Sequence, residues 1–144
     1  LIPNLNVQRP GDAEETAGSY IHGMNHKTGP TAYILSRQDL PVLMSKTAAE
    51  KRAGTQKGAY TLVDETAPLT HILLAAGSEV HLAVEAAATL GAGCRVVSMP
   101  CMEVFELQSD AYKAEILSDK TKTTAIATCH DQPAPRLPAS MRLH

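Results

Sequence analysis

Aromatic side chains are nearly missing from this sequence, which has no tryptophan, one phenylalanine and four tyrosines in 144 residues. A core must then be packed by valine, leucine, isoleucine and alanine, which favours buried parallel strands between alanine-rich helices. Cysteine is scarce as well. Cys94, Cys101 and Cys129 are odd in number and lack CxxC or zinc-type spacing, so no disulfide framework or structural metal is expected and a reducing compartment fits. No apolar run reaches the ~18 residues that cross a bilayer. A net charge of -2 excludes the broad basic footprint of a nucleic-acid or anionic-membrane binder. The opening Leu1-Ile2-Pro3-Asn4 has neither a signal-peptide pattern nor a methionine, so residue 1 is expected to lie inside a longer coding sequence.

What is present reads as two β-α-β units. Residues 4–7 form a candidate strand, broken by Arg9-Pro10-Gly11. Asp12 with Glu15 three residues later is a capping-box pattern, opening a helix whose apolar face is Ala13, Ala17, Tyr20, Ile21 and Met24. After Gly29-Pro30, residues 31–36 read as a buried strand parallel to the first. Residues 39–57 show no sustained periodicity and read as an interdomain linker. In the second unit, 59–63 is a candidate strand and 71–76 a clearer one. Ser78 is placed to cap a helix with the stripe Val80, Ala83, Val84, Ala87 and Leu90, ended by Gly91-Ala92-Gly93 before a strand over 94–99. Residues 102–108 and 109–117 read as short helices, the second opened by Ser109 or Asp110, and 123–128 as one more strand. Pro133, Pro135 and Pro138 deny regular structure to the tail, which is expected to be disordered.

Arg37 is the most informative candidate site residue, because it directly follows the apolar run 31–36. Ligands in open α/β sheets collect at the carboxyl ends of strands, and a guanidinium grips phosphate or carboxylate oxygens through two parallel hydrogen bonds. Position alone favours a surface or interdomain arginine paired with a carboxylate. His22 and His26, one helical turn apart, could share a metal, but the glutamate of an HExxH site is missing and a solvated helix edge is the better reading. His81 falls on the solvent side of its helix. Gly77-Ser78-Glu79 stands where free helix amides bind anions, but Glu79 opposes one and no GxGxxG or GxxxxGK[ST] pattern is present, so a tight helix start is expected. Cys129-His130 lacks an orienting third group for nucleophilic catalysis, and Glu103, Glu106 and Asp110 read as a solvated acidic face.

Several segments together resemble transketolase: Pro3-Asn4-Leu5-Asn6-Val7 with Arg9-Pro10 and Asp12, Thr28-Gly29-Pro30-Thr31-Ala32, Leu35-Ser36-Arg37-Gln38 with Leu40-Pro41, Lys57-Gly58-Ala59-Tyr60, Ala76-Gly77-Ser78-Glu79-Val80, and Arg95-Val96-Val97-Ser98-Met99-Pro100. They keep the family's order and spacing over about residues 1–127. The resemblance implies an α/β fold with parallel-type sheets: the end of a pyrimidine-binding domain over 1–38, a linker over 39–57, an incomplete three-layer C-terminal domain over 58–128 and a divergent proline-rich tail over 129–144. It also implies a cytoplasmic, homodimeric parent that uses thiamine diphosphate and Mg2+ or Ca2+ to move a two-carbon ketol unit between sugar phosphates of the pentose phosphate pathway. Arg37 then matches the family's arginine for the substrate phosphate. The cofactor and metal ligands and the catalytic residues have no counterparts in this chain, so the chain alone is expected to be inactive. Dihydroxyacetone synthase and deoxyxylulose phosphate synthase are related, but SRQ-x-LP favours transketolase. The alternative is a non-catalytic α/β interaction or dimerisation module, with no nucleic-acid or membrane partner.

Overall fold

Strands β1 (Asn6–Gln8) and β2 (Thr31–Tyr33) pair in parallel and are connected through helix α1 (Ala13–Asn25) in the computed structural model, which describes residues 2–118. Asn6 lies opposite Thr31 and Gln8 opposite Tyr33. Asp12 caps α1 as its sequence implies, accepting from Glu15 N at 3.0 Å. The strand expected over 31–36 is shorter and less buried: Ile34 N still donates to Gln8 O at 2.9 Å, but Ile34 and Leu35 are 46% and 48% exposed. The cause is β1, which leaves the ladder after Gln8. Arg9 N donates to Pro100 O at 2.7 Å instead, and Pro10 has no N–H to offer.

The expected apolar face of α1 is also corrected. Ala13, Tyr20 and Met24 are exposed, and the buried positions are Glu15, Gly18 and Ser19. This small, polar face meets helix α2 (Ala48–Gln56), which lies inside the segment read as a linker. Thr47 and Glu50 close a capping box at its start, and its buried face of Lys51, Gly54 and Thr55 has no apolar periodicity to betray it. A Cβ on Gly18 would stand 2.9 Å from Thr55 Cβ, so only glycine allows this approach of the two helices.

Strands β3 (Tyr60–Val63), β4 (His71–Ala75) and β5 (Cys94–Ser98) form a second sheet in the order β3-β5-β4. β4 and β5 are parallel, joined through a 3-10 turn at Gly77–Glu79 and helix α3 (Val80–Leu90). The connection 64–70 from β3 to β4 is shorter than the dozen or so residues of a parallel crossover, so β3 runs opposite to β4 and hence antiparallel to β5. Helices α4 (Met102–Glu106) and α5 (Asp110–Leu117) complete the three layers. Alternate strand residues serve the two faces: Ile72, Leu74 and Val97 pack with Ala59, Phe105 and Ile116, while Leu73 and Val96 pack with Ala87 and Cys94 beneath α3.

Two details of α3 differ from expectation. Ser78 does not cap it; its hydroxyl donates to Glu79 Oε1 at 3.0 Å, and Glu79 takes the cap position without a side-chain bond. Leu90 is 52% exposed, because Gly91, at φ 95°, turns the chain away directly after it. The strand expected over 123–128 and the tail over 131–144 lie outside the described residues.

Candidate functional site

Arg37 stands beyond β2 on an exposed stretch, where Ser36 Oγ accepts from Gln38 N at 3.2 Å and shapes the backbone locally. Among the described residues its guanidinium forms no hydrogen bond or ion pair, so the carboxylate partner favoured by position does not appear. The group faces solvent with its donors available to an anion.

Behind that exposed arm lies a polar cluster that the sequence reading did not single out. Glu15 is 1% exposed; its Oε2 accepts from Gly11 N at 2.6 Å, and its Oε1 from Tyr60 Oη at 2.7 Å and Ser98 Oγ at 2.6 Å. Asp12 Oδ2 accepts from Leu43 N at 3.3 Å and pairs with the buried Lys51 ammonium. Burial holds the Glu15 carboxyl above its ordinary range, partly opposed by the Ser98, Gly11 and Tyr60 donors. Burial and the neighbouring Glu15 likewise push the Tyr60 hydroxyl up, so it stays a donor. The capping pattern was the one legible signal here, because Lys51, Tyr60 and Ser98 lie 39 to 83 positions from their partners.

This cluster joins the first unit to the second at the carboxyl ends of β1, β4 and β5. Gly77 N donates to Arg9 O at 2.9 Å, and a Cβ on Gly11 would meet Val80 Cγ2 at 2.9 Å. The Gly77 amide is thus engaged by the Arg9 carbonyl, and Gly77–Glu79 forms a 3-10 turn that runs directly into α3. The strand ends serve as a joint between units.

The remaining candidates separate. His22 and His26 stack with ring centroids 5.8 Å apart and both approach Asn6, so they are not a freely solvated edge. No group of three His, Cys, Asp or Glu side chains suited to a metal occurs among the described residues. His81, expected on the solvent side, is half-buried. Glu103, Glu106 and Asp110 are exposed; Glu103 Oε2 accepts from Val7 N at 3.3 Å, and Asp110 pairs with Lys113 at 3.2 Å. Burial pushes the Cys101 thiol up to about 12, which removes it as a nucleophile at neutral pH. Cys129-His130 lies outside the described residues. No helix among them is long and apolar enough to cross a membrane.

Residues 58–137 match the model of the transketolase-like TK C-terminal domain. The chain belongs to the transketolase family. It is 53% identical over 117 residues to a transketolase of Dictyostelium discoideum, covering 81% of this chain, and 47% identical over 126 residues to one of Physarum polycephalum, covering 88%. It spans 18 to 19% of the length of those two relatives. Among solved structures, a transketolase from Leishmania mexicana superposes with a TM-score of 0.78 at 37% identity, over 87% of this chain and 18% of that one. A Pichia stipitis transketolase in complex with sedoheptulose-7-phosphate gives 0.75 at 35% identity, over 85% and 18%. The match to the C-terminal domain model begins at Gly58, where φ of 86° turns the chain from α2 into the second sheet.

Proposed function

We propose that this chain is the carboxyl-terminal part of a transketolase that transfers a two-carbon ketol unit from a ketose phosphate to an aldose phosphate, and that Arg37 holds the substrate phosphate. The observation that carries this reading is the exposed Arg37 guanidinium, unpaired among the described residues, within a sequence 53% identical to a transketolase. A phosphate needs what this group offers: a permanent charge and a planar donor fork. The similar Pichia stipitis enzyme binds a phosphorylated sugar, which fits that chemistry.

The parent's thiamine diphosphate and divalent metal do not fit the residues described here. The Gly77 amide is engaged by Arg9, and no three-donor cluster is present among those residues. That cofactor supplies the carbanion chemistry of ketol transfer. In this reading its binding groups belong to other parts of a cytoplasmic, homodimeric parent, and the 144-residue chain alone is inactive.

Grafting residues 2–118 in place of the matching segment of the Dictyostelium transketolase tests the proposal. Retained ketol transfer from phosphorylated ketoses supports it; a folded, dimeric chimera without activity overturns it. A second reading, a non-catalytic interaction module, draws on exposed apolar residues around α1 and the following arm: Met24 at 66%, Val42 at 59% and Met44 at 86%. Calorimetry of the chain with thiamine diphosphate and Mg2+ bears on that reading, which saturable binding would contradict.

A further inference from the structure

His22 Nε2 and His26 Nδ1 aim at one atom. Asn6 Nδ2 lies 3.1 Å from the first and 3.4 Å from the second, and Asn6 is only 8% exposed. With its nitrogen turned to both rings the amide donates through its two hydrogens, and both ring nitrogens accept. That orientation sets the tautomers. His22 carries its proton on Nδ1, and His26 carries its own on Nε2, which lies 3.0 Å from Thr28 Oγ1 as acceptor. Thr31 Oγ1, 3.3 Å from His26 Nδ1, adds a hydroxyl donor from the first residue of β2. The two rings thus bind the carboxyl end of α1 to the start of β1 and of β2, where Asn6 and Thr31 are register partners.

We propose that His22, His26 and Asn6 form an acid-sensitive latch, closed when both imidazoles are neutral and opened by protonation, which frees the end of α1 and the turn 26–30 from the two strands. A protonated ring presents N–H to N–H at Asn6, and two imidazoliums with centroids 5.8 Å apart repel. Turning the Asn6 amide would offer its oxygen to the rings but does not relieve that repulsion. Burial, and then His26, hold His22 below its ordinary value of 6.5, which favours the neutral ring that the closed form needs.

The surrounding charges do not displace this response. Just past α1, Lys27 Nζ donates to Met24 O at 2.6 Å. From β2, Tyr33 faces Gly23, and burial keeps its hydroxyl protonated. From α4, Glu103 is held on Val7 N, and on the α2 side Lys51 and Arg52 are paired with Asp12 and Glu14. The latch does not depend on the activity proposed above.

Hydrogen exchange of the 144-residue chain, corrected for intrinsic rates, tests it. Between pH 7.5 and pH 5.5, protection of the Asn6 and Ile34 amides, which donate to Pro30 O and Gln8 O, should fall about fivefold or more, the loss expected of one or two net hydrogen bonds. Unchanged protection overturns the latch. Asn6→Asp should reverse the sign, because a carboxylate accepts from imidazoliums and closes in acid; a response in the same direction as the parent chain overturns it. A two-bond 1H-15N histidine spectrum of the unsubstituted chain at pH 7.5 removes dependence on that variant's folding. Bare His22 Nε2 and His26 Nδ1 support the latch, and a proton on either contradicts it.

Discussion

The Ser98 hydroxyl, at the end of β5, donates a 2.6 Å hydrogen bond to the Glu15 carboxylate on the first turns of α1, 83 positions away. This contact and the Tyr60–Glu15 hydrogen bond hold the first α/β unit against the second, and the Lys51–Asp12 ion pair ties α2 to the start of α1. Buried charges of this kind are costly to separate from their partners and add little over a well-packed apolar pair. Their value lies in fixing how β1 and the Arg37 arm sit on the second sheet.

Glu15→Gln replaces one acceptor oxygen with a donor, which must face Gly11 N–H or the Tyr60 and Ser98 hydroxyls. It should destabilise the fold by about 2 to 4 kcal/mol, read by urea denaturation at pH 7. The sign with pH follows from burial raising the folded carboxyl above 4.5. The folded chain takes up this proton before the unfolded chain does, so the Glu15 contribution improves as pH falls from the folded value towards 4.5. The stability difference between parent and Glu15→Gln should therefore widen on mild acidification.

Arg37→Ala, made in the chimera described above, should raise KM for phosphorylated substrates by about 10- to 150-fold, the range of one charge-assisted hydrogen bond. Short unphosphorylated substrates should be spared. Steady-state kinetics with both classes checks this, and an equal loss for both would remove the assigned role.

Gly58 and Gly91 both have positive φ, 86° and 95°, but only Gly58 is enclosed. Gly91→Ala should cost the backbone strain alone, about 1 to 3 kcal/mol. Gly58→Ala adds collision with the Phe105 amide and the Cys101 carbonyl, neither of which can move as a flexible side chain could. Its cost should exceed that of Gly91→Ala by at least about 1 kcal/mol in thermal or denaturant melts.

Arg95 grips Glu65 with two bonds, of 2.6 and 2.8 Å, and donates from Nη1 to the Glu115 and Ile116 carbonyls of α5. Arg95→Lys cannot reproduce that fork and should cost about 1 kcal/mol, since the pair is partly solvated. The Arg95 hydrogen bond holds the Glu65 carboxyl below 4.5. Its stabilisation is complete above 4.5 and is lost as pH falls through the folded value. The difference between parent and variant should shrink there, as followed by melts from pH 7 to pH 3.

The elements of the second sheet were legible because their signals are local. The apolar run over residues 71–75, the glycine after α3 and the Ser109 cap, which accepts from Tyr112 N at 3.2 Å, each act within a few residues. The α2 helix escaped because its buried face is Lys51, Gly54 and Thr55, and polarity at those positions makes sense only once Asp12 is opposite. The face of α1 was inverted for a related reason. Apolar spacing named Tyr20 and Met24, whereas the close approach to α2 selected Gly18 and Ser19.

The sequence by itself determined the β-α-β order, the Asp12 and Ser109 caps and Arg37 as the cation worth following, because propensity, periodicity and motif are properties of neighbouring residues. Only the tertiary structure decided that Glu15, Tyr60 and Ser98 share one buried site, that two histidines converge on Asn6, and that the strand ends are closed by Arg9. Desolvation and hydrogen-bond direction depend on which groups face each other across the chain, and that pairing exists only after folding.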